Sequence, residues 1–385
     1  MGPAAPTATS ALAALADQDL MASVLDAWCK RQGREPGGRW RREYARYHPG
    51  EDPWSVCLFE GAGGNLVRID ALLLPDAADF VHPVLGPLRI AQFPDDPALP
   101  SLGDVMAMLD WVQVVRYRPG KRCTLRGFAD GSERFVKVIP GGERIYADAL
   151  ILWAGSRAGA FSFVVAEPFG WHEPTSSFWQ GVVPGRPVVQ EVFGADGSRF
   201  SRRLGAALGE LAASKLTASV RNPVDEQLQR TTRSMTRTAM ALPKLEHRLA
   251  QVHAELERRH ARLPNRALVP IHGAPNVHRW LIQSNRLGLT DFDRFALGDP
   301  ESDLMTFMAE LDTGRALVQP VAEIEDAWIE GFESKGPRLD PGLTRLYRIH
   351  KRLSKVTRAA WDVQPDAAQR AEQYLQTVEL MLSEG

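Results

Sequence analysis

The segment from residue 271 to residue 303 contains the side chains with the clearest chemical potential. It reads IHGAPNVHRWLIQSNRLGLTDFDRFALGDPESD, and its carboxylates Asp291 and Asp293 follow an apolar run that is typical of a strand. Carboxylate oxygens at the end of a strand are suitable ligands for a hard cation such as Mg²⁺. Asp291 and Asp293 are therefore candidate metal ligands, although an ordinary acidic turn after a strand gives the same pattern.

Lys137 is the candidate cation. It lies within the apolar run FVKVI of residues 135–139, and a buried ammonium group without a partner is costly. An inward-facing Lys137 therefore needs an acidic neighbour, and the next predicted helix offers Glu143 or Asp148, with Glu143 the nearer fit. The alternative is an outward-facing, solvated lysine on an alternating strand.

Both segments resemble parts of the aminoglycoside phosphotransferase and choline kinase-like family. In that family a loop reads HGDxxxxN, and a later segment reads DFD or DFE followed by GDPxxDL; the later segment is intact here. The resemblance implies a cleft that binds ATP or GTP together with Mg²⁺. It further implies that Lys137 contacts the nucleotide phosphates and that Asp291 and Asp293 hold the metal.

The resemblance also implies structural roles for three residues around these segments. His272, the first residue of the loop motif, is expected to bridge the loop to the backbone of the metal site. Asp299 and Asp303 are expected to cap a helix and to tie down the loop.

Two further nucleotide-binding candidates come from the same resemblance. The run RYRPGKRC of residues 116–123 resembles a turn that lies over the nucleotide in bacterial members, which makes Arg118 a candidate. Gly181 begins a stretch that resembles the linker between the lobes, whose backbone meets the nucleotide base. An ordinary Pro-Gly turn explains the pattern at residues 184–185 equally well.

The loop departs from the family pattern at two positions. Ala274 stands where the family has its catalytic Asp, and Arg279 stands where it has an Asn that helps to hold the metal. A methyl group cannot receive a proton from an acceptor hydroxyl, whereas a guanidinium group can contact a phosphate directly. Asn276 and His278 are candidates to substitute in part for the missing groups. An engineered Asp-to-Ala change would explain Ala274 but not Arg279, so the two departures favour natural divergence.

Composition excludes several classes of protein. The 385 residues include 46 Lys plus Arg and 47 Asp plus Glu, so no net field directs the whole chain toward nucleic acid or a membrane. No apolar run is long enough to cross a bilayer, and the Ala-rich start lacks the features of a signal peptide. The three dispersed cysteines suit a reducing compartment and form no metal pattern. We therefore expect a cytoplasmic protein.

The order of strand and helix patterns predicts an α+β protein with a two-lobed, protein-kinase-like fold. We expect a flexible tail over residues 1–15 and an N-terminal extension of uncertain structure over residues 16–105. Alternating runs and an Asp-Gly hairpin signal predict a small antiparallel, nucleotide-binding lobe over residues 106–185. Helical spacing predicts a mostly helical lobe over residues 186–385, in which Pro243 ends or kinks one long pattern.

Two functions from different classes fit these features. The first is a phosphotransferase-like protein that transfers a nucleotide γ-phosphoryl group to a hydroxyl of a small molecule or a Ser/Thr peptide, with weak or relocated activity. The second is a non-catalytic pseudokinase scaffold that binds a partner protein or peptide in a biosynthetic pathway. A cationic, aminoglycoside-like acceptor ranks lower, because the helical lobe lacks a dense acidic cluster.

Overall fold

The computed structural model describes residues 8–35, 38–264, 266–311 and 317–384. The first unit is an antiparallel sheet covered by two helices, with the strands in the spatial order β1-β2-β3-β5-β4. Its elements are α1 Ala8–Ala16, α2 Gln18–Arg31, β1 Arg41–His48, β2 Trp54–Glu60, β3 Leu66–Ala71, β4 Phe80–His82 and β5 Gly86–Gln92. Apolar side chains of both layers, including Leu15 and Leu25 from the helices and Phe59 and Ile69 from the sheet, share one core.

Two expectations about this unit need correction. The sequence predicts a flexible tail over residues 1–15, but residues 8–16 form α1, in which Ala11 and Leu15 are fully buried. Alanine has the highest helix propensity, and the sheet supplies a surface for the apolar face of the helix; residues 1–7 lie outside the described residues. The extension of uncertain structure is an ordered domain with its own core, which we call the N-terminal domain.

The small lobe is a second antiparallel sheet, with the strand order β6-β7-β8-β10-β9. Asp130 and Gly131 form the two-residue turn between β7 and β8, and both have positive φ, as the predicted hairpin requires. The elements are α3 Leu102–Ala107, β6 Trp111–Arg118, β7 Arg122–Ala129, β8 Ser132–Val138, α4 Glu143–Arg157, β9 Pro168–His172 and β10 Ser177–Gln180. The predicted antiparallel lobe is therefore confirmed.

The large lobe is mostly helical, as predicted. The chain leaves β10 and enters this lobe through β11, which pairs with β14, and a 3₁₀ turn that starts at Pro243 separates α7 from α8. The helices are α5 Val189–Phe193, α6 Gly197–Ala213, α7 Val224–Ala241, α8 Glu246–His260, α9 Glu301–Leu311, α10 Val321–Glu333, α11 Pro341–Ala360 and α12 Ala367–Ser383. The strands are β11 Arg186–Pro187, β12 Arg221–Asn222, β13 Val269–Ile271, β14 Trp280–Gln283, β15 Arg286–Leu289 and β16 Ala296–Gly298. Within the described residues, we find no helix with the length and apolar character that a bilayer crossing requires.

The N-terminal domain contacts the large lobe. The Tyr47 backbone N–H donates to the Trp361 carbonyl at 2.9 Å, and Arg237 Nε donates to the Pro49 carbonyl at 3.0 Å. The guanidinium groups of Arg46 and Arg237 each lie 4.8 Å from the Trp361 ring centroid, within the range of a cation–π interaction.

The same domain also fixes a turn of the small lobe through Asp96, which is 2% exposed. The Asp96 carboxylate accepts hydrogen bonds from Arg68 Nη1 at 2.7 Å, from the Tyr117 hydroxyl at 2.8 Å and from the Gly120 N–H at 2.7 Å. Arg68 lies on β3, whereas Tyr117 and Gly120 lie at the end of β6 and in the turn that follows it. This turn is therefore fastened to the N-terminal domain.

Replacing Asp96 with Ala should destabilise the protein by about 3 kcal/mol. The substitution removes one of the two acidic partners of the buried Arg68 and the acceptor of the Tyr117 hydroxyl and of the Ala98 and Gly120 N–H groups. Urea unfolding followed by tryptophan fluorescence measures the loss. Asp95→Ala is the matched control, since Asp95 is exposed. Equal stability of the two variants would show that the Asp96 contacts contribute nothing net.

Candidate functional site

Lys137 and the Asp-Phe-Asp turn meet in the cleft between the two lobes. Lys137 Nζ lies 2.7 Å from Asp291 Oδ1 and is also paired with Asp293 Oδ1. Lys137 is only 5% exposed, so the ammonium group needs these partners. The structure therefore brings together the cation and the two carboxylates that the sequence singles out.

Strand alternation explains why Lys137 faces this cleft. Its neighbours Val136 and Val138 on β8 are buried in the core of the small lobe. Successive side chains of a strand point to opposite faces, so Lys137 points away from that core and toward the large lobe. The inward-facing interpretation of this lysine therefore holds.

Two arginines complete an ion-pair network around the carboxylates. Arg122 Nη1 lies 2.6 Å from Asp293 Oδ2, and Arg279 is paired with Asp291 Oδ2. Three cationic side chains from both lobes thus surround two carboxylates, and we call Lys137, Arg122, Arg279, Asp291 and Asp293 the cleft network. Its members come from β7, β8, the loop after β13 and the turn after β15.

Asp291 is held ionised and in an unusual backbone conformation. Burial alone would raise the pKa of this carboxyl group, but the charges of Lys137 and Arg279 outweigh burial and hold the pKa well below its usual range. Its φ of 66° lies in the left-handed region, which few residues other than glycine adopt and which is common at functional sites. The surrounding contacts therefore stabilise a carboxylate in a strained position.

The residues present do not fit the divalent metal that the resemblance implies. Each of the four oxygens of Asp291 and Asp293 is paired with Lys137, Arg122 or Arg279. Arg279 also occupies the position of the Asn that the resemblance gives as a metal-holding residue, and a guanidinium has no acceptor for a metal. In the described part of the chain, no three or more His, Cys, Asp or Glu side chains form a metal-binding group.

The loop around His272 is fastened to the Asp-Phe-Asp turn. His272 is fully buried; its Nε2 lies 3.0 Å from the Thr290 carbonyl, and the Ala274 N–H donates to its Nδ1 at 3.1 Å. Asp303 accepts the backbone N–H groups of His272 and Gly273, each at 2.8 Å. These contacts connect the loop to the backbone next to Asp291 and to the first turn of α9.

Asp299 forms a buried contact between two helical segments. It is buried, and its Oδ2 accepts a hydrogen bond from the Tyr347 hydroxyl of α11 at 3.0 Å. This contact ties the start of the α9 segment to α11 and lies apart from the cleft network.

The loop offers no evident replacement for the missing catalytic Asp. Ala274 is half-buried and presents a methyl group. The side-chain oxygen of Asn276 accepts the His278 N–H at 3.2 Å and so caps a short 3₁₀ turn. His278 itself is exposed, and its ring has no hydrogen-bond partner among the described residues. The structure therefore does not bring His278 or Asn276 to the cleft network.

Glu143 and Asp148 are not the partners of Lys137. Glu143 is exposed in the first turn of α4, and the buried Asp148 is bonded to Arg144 Nη1 and Ser219 Oγ, both at 2.9 Å. The carboxylates of Asp291 and Asp293 already balance the charge of Lys137 from the other side of the cleft. Lys137 therefore needs no carboxylate from α4. From α4, Arg144 contacts the Asp-Phe-Asp turn, since its Nη2 donates to the Asp293 carbonyl at 3.1 Å.

The predicted nucleotide contacts lie at the edges of the cleft. Arg118 is half-buried at the end of β6, directly opposite Arg122 of the cleft network. Gly181 follows β10, and its N–H donates to the Glu167 carbonyl at 2.8 Å. Sequence reasoning did not single out Arg122 or Arg144, although Arg122 lies within the run of residues 116–123 from which Arg118 was chosen.

A narrow apolar pocket lies behind the cleft network. Its walls include Leu152 from α4, Val165, Phe178 from β10 and Leu289 from β15. Its free volume is about 20 Å³, which is room for roughly one water molecule.

The sequence was compared with models of known protein families. Residues 130–373 match the phosphotransferase enzyme family, a span that includes β8, the linker and nearly all of the large lobe. No curated protein matches the chain.

Several solved structures share the fold. The chain is similar to the choline kinase LicA from Streptococcus pneumoniae, with 11% identity, 74% of this chain and 97% of that chain covered, and a TM-score of 0.53. It is similar to the amicoumacin kinase hAmiN in complex with AMP-PNP, Ca²⁺ and amicoumacin, with 13% identity, coverage of 72% and 92%, and a TM-score of 0.57. A putative aminoglycoside phosphotransferase from Ralstonia eutropha has 14% identity, coverage of 74% and 98%, and a TM-score of 0.55. At these identities the likeness establishes the kinase-like fold.

The buried His272 should make the stability of the loop depend on pH. Burial lowers the pKa of His272 to about 4, below its unfolded value, so its contribution is complete above pH 6.5 and is lost as the pH falls toward 4. Between pH 7 and pH 5, urea unfolding should show that the wild type loses about 2 kcal/mol more than His272→Gln. The exposed His278→Gln serves as the control and should follow the wild type. Parallel losses in all three proteins would contradict the neutral, buried state of His272.

Proposed function

The chain belongs to the phosphotransferase enzyme family, and on that premise we propose that it binds ATP or GTP in the cleft between its lobes. We propose further that it transfers the γ-phosphoryl group, slowly, to a hydroxyl of a small molecule or a Ser/Thr peptide. The observation that carries this proposal is the convergence of Lys137 with Asp291 and Asp293 next to an apolar pocket. A phosphate-binding cation beside a slot for a base is what a nucleotide site requires.

The side chains of the cleft would act on the phosphates as charges. Lys137 and Arg279 would exchange part of their contact with the carboxylates for contact with phosphate oxygens. The guanidinium group of Arg279 can bind two phosphate oxygens at once. The acceptor oxygen would attack the γ-phosphorus, and the bond to the bridging oxygen of the leaving diphosphate would break. The acceptor proton would pass to solvent, because Ala274 cannot receive it.

The missing base explains why we expect a slow enzyme. A positioned general base usually contributes about 10²–10⁴-fold to the rate. The Asn276 side-chain oxygen is already bonded to the His278 N–H, and the His278 side chain is exposed. Positioning and charge neutralisation are the remaining sources of catalysis.

The charges at the mouth of the cleft disfavour a cationic acceptor. Arg116, Arg118 and Lys121 cluster at the end of β6 and in its turn, and no described carboxylate forms an ion pair with them. Burial, together with the neighbouring charges of Arg116 and Arg122, lowers the pKa of Arg118 to about 10. A neutral or anionic acceptor therefore suits this cleft better than an aminoglycoside.

A non-catalytic scaffold is the second candidate function. It is favoured by two observations: Ala274 has replaced the catalytic Asp, and cationic side chains already engage all four oxygens of Asp291 and Asp293. In this case the fold would present a surface to a partner protein or peptide, and phosphoryl transfer would be absent.

Nucleotide binding should depend on Lys137. ATP at millimolar concentration should raise the melting temperature of the wild type, and Lys137→Met should abolish the rise, because the substitution removes the cation but retains the length of the side chain. Lys30→Met is the control, since Lys30 is exposed on α2. A rise that survives in Lys137→Met, or no rise in the wild type with either ATP or GTP, would refute the proposed site.

Ala274→Asp distinguishes the slow enzyme from the scaffold. If the loop is a weakened catalytic loop, the substitution should raise the rate of ADP release from ATP by about 10²–10⁴-fold, measured with water as the acceptor. The rate of Ala274→Asn, which has the same shape but cannot take a proton, should stay at the wild-type level. The absence of turnover in all three proteins would favour the scaffold.

A further inference from the structure

We infer that the cleft binds the polyphosphate of a nucleotide without a divalent metal, and that Lys137, Arg122 and Arg279 supply the positive charge that a metal usually supplies. This inference rests on the proposed nucleotide site. It starts from the misfit described above: every oxygen of Asp291 and Asp293 faces a cationic side chain. Two carboxylates without cationic partners would attract a metal ion, whereas Asp291 and Asp293 are already paired with three cationic side chains.

The strand register places further cations on the same face of the small lobe. Arg118 lies opposite Arg122, Arg116 lies opposite Thr124, and Thr124 lies opposite Lys137. Residues that face one another across strands point to the same side of a sheet. Arg116, Arg118, Arg122 and Lys137 therefore share one face, and the contacts of Lys137 and Arg122 show that this face looks into the cleft.

Arg279 adds positive charge from the opposite lobe. It is the last residue of the short 3₁₀ turn of the loop, and its backbone carbonyl accepts the Thr290 N–H at 3.1 Å. This contact fixes Arg279 beside the turn that carries Asp291. The cleft thus has cations on both walls, and they outnumber the two carboxylates even before Arg116 and Arg118 are included.

This excess of positive charge suits a ligand that arrives with its full negative charge. A nucleoside triphosphate without a metal carries several negative charges, and guanidinium groups bind phosphate oxygens in pairs. A metal-bound nucleotide has part of that charge neutralised, and its metal would meet three cationic side chains in place of free carboxylates. We therefore expect Mg²⁺ to leave affinity unchanged or to weaken it.

The test is the binding of ATP to the full chain, measured by isothermal titration calorimetry in excess EDTA and again in excess Mg²⁺. We expect binding in EDTA that is at least as tight as binding in Mg²⁺. Binding that appears only with Mg²⁺ would overturn this inference and leave the nucleotide site intact. The absence of binding under both conditions would overturn the nucleotide site as well.

Substitutions at Arg279 make the test specific. Arg279→Asn restores the residue that the resemblance leads one to expect, so it should weaken binding in EDTA by tenfold or more and make binding respond to Mg²⁺. Arg279→Lys retains the charge and should keep metal-free binding within a few-fold of the wild type. Arg286→Asn is the control, since Arg286 is exposed on β15. Unchanged metal-free binding in a folded Arg279→Asn protein would contradict the assigned role of Arg279.

Discussion

The balance of charge in the cleft network is the constraint on which the rest of the structure depends. Lys137 and the two carboxylates are largely removed from water, and a buried charge that loses its partner costs several kcal/mol, on the order of 3–5. The network is therefore stable only while both lobes hold their charged side chains in place. The ion pairs of Lys137 with Asp291 and Asp293 thus join the facing walls of the cleft.

Each part of the chain helps to place the charged side chains of the cleft network. The alternation of β8 turns Lys137 into the cleft, and the contact of His272 with the Thr290 carbonyl fixes the turn that carries Asp291. The N-terminal domain holds the turn after β6 through Asp96 and also contacts the large lobe near Trp361. This domain thus contacts both the small lobe and the large lobe.

Sequence reasoning predicted the features that local patterns determine. The Asp-Gly hairpin and the break at Pro243 follow from backbone preferences, and the family motif indicated Asp291. Alternation alone left the orientation of Lys137 open, because the sequence does not show which face of β8 is covered. The partner of Lys137 was predicted on α4, as Glu143 or Asp148, whereas Lys137 pairs with Asp291 and Asp293 of the large lobe; this contact depends on how the two lobes pack. The pairing of Arg279 with Asp291 joins two segments that are separated in the chain, so the local sequence does not predict it. Helix α1 likewise packs against the sheet of the N-terminal domain, which the local sequence does not show.

The most direct measurement is a crystal structure of the protein grown with a non-hydrolysable ATP analogue in the presence of EDTA. Our account predicts that the base lies between Val165 and Leu289 and that phosphate oxygens lie within hydrogen-bonding distance of Lys137 Nζ and the Arg279 guanidinium. An empty cleft with the cleft network unchanged, or an analogue bound elsewhere on the surface, would contradict it.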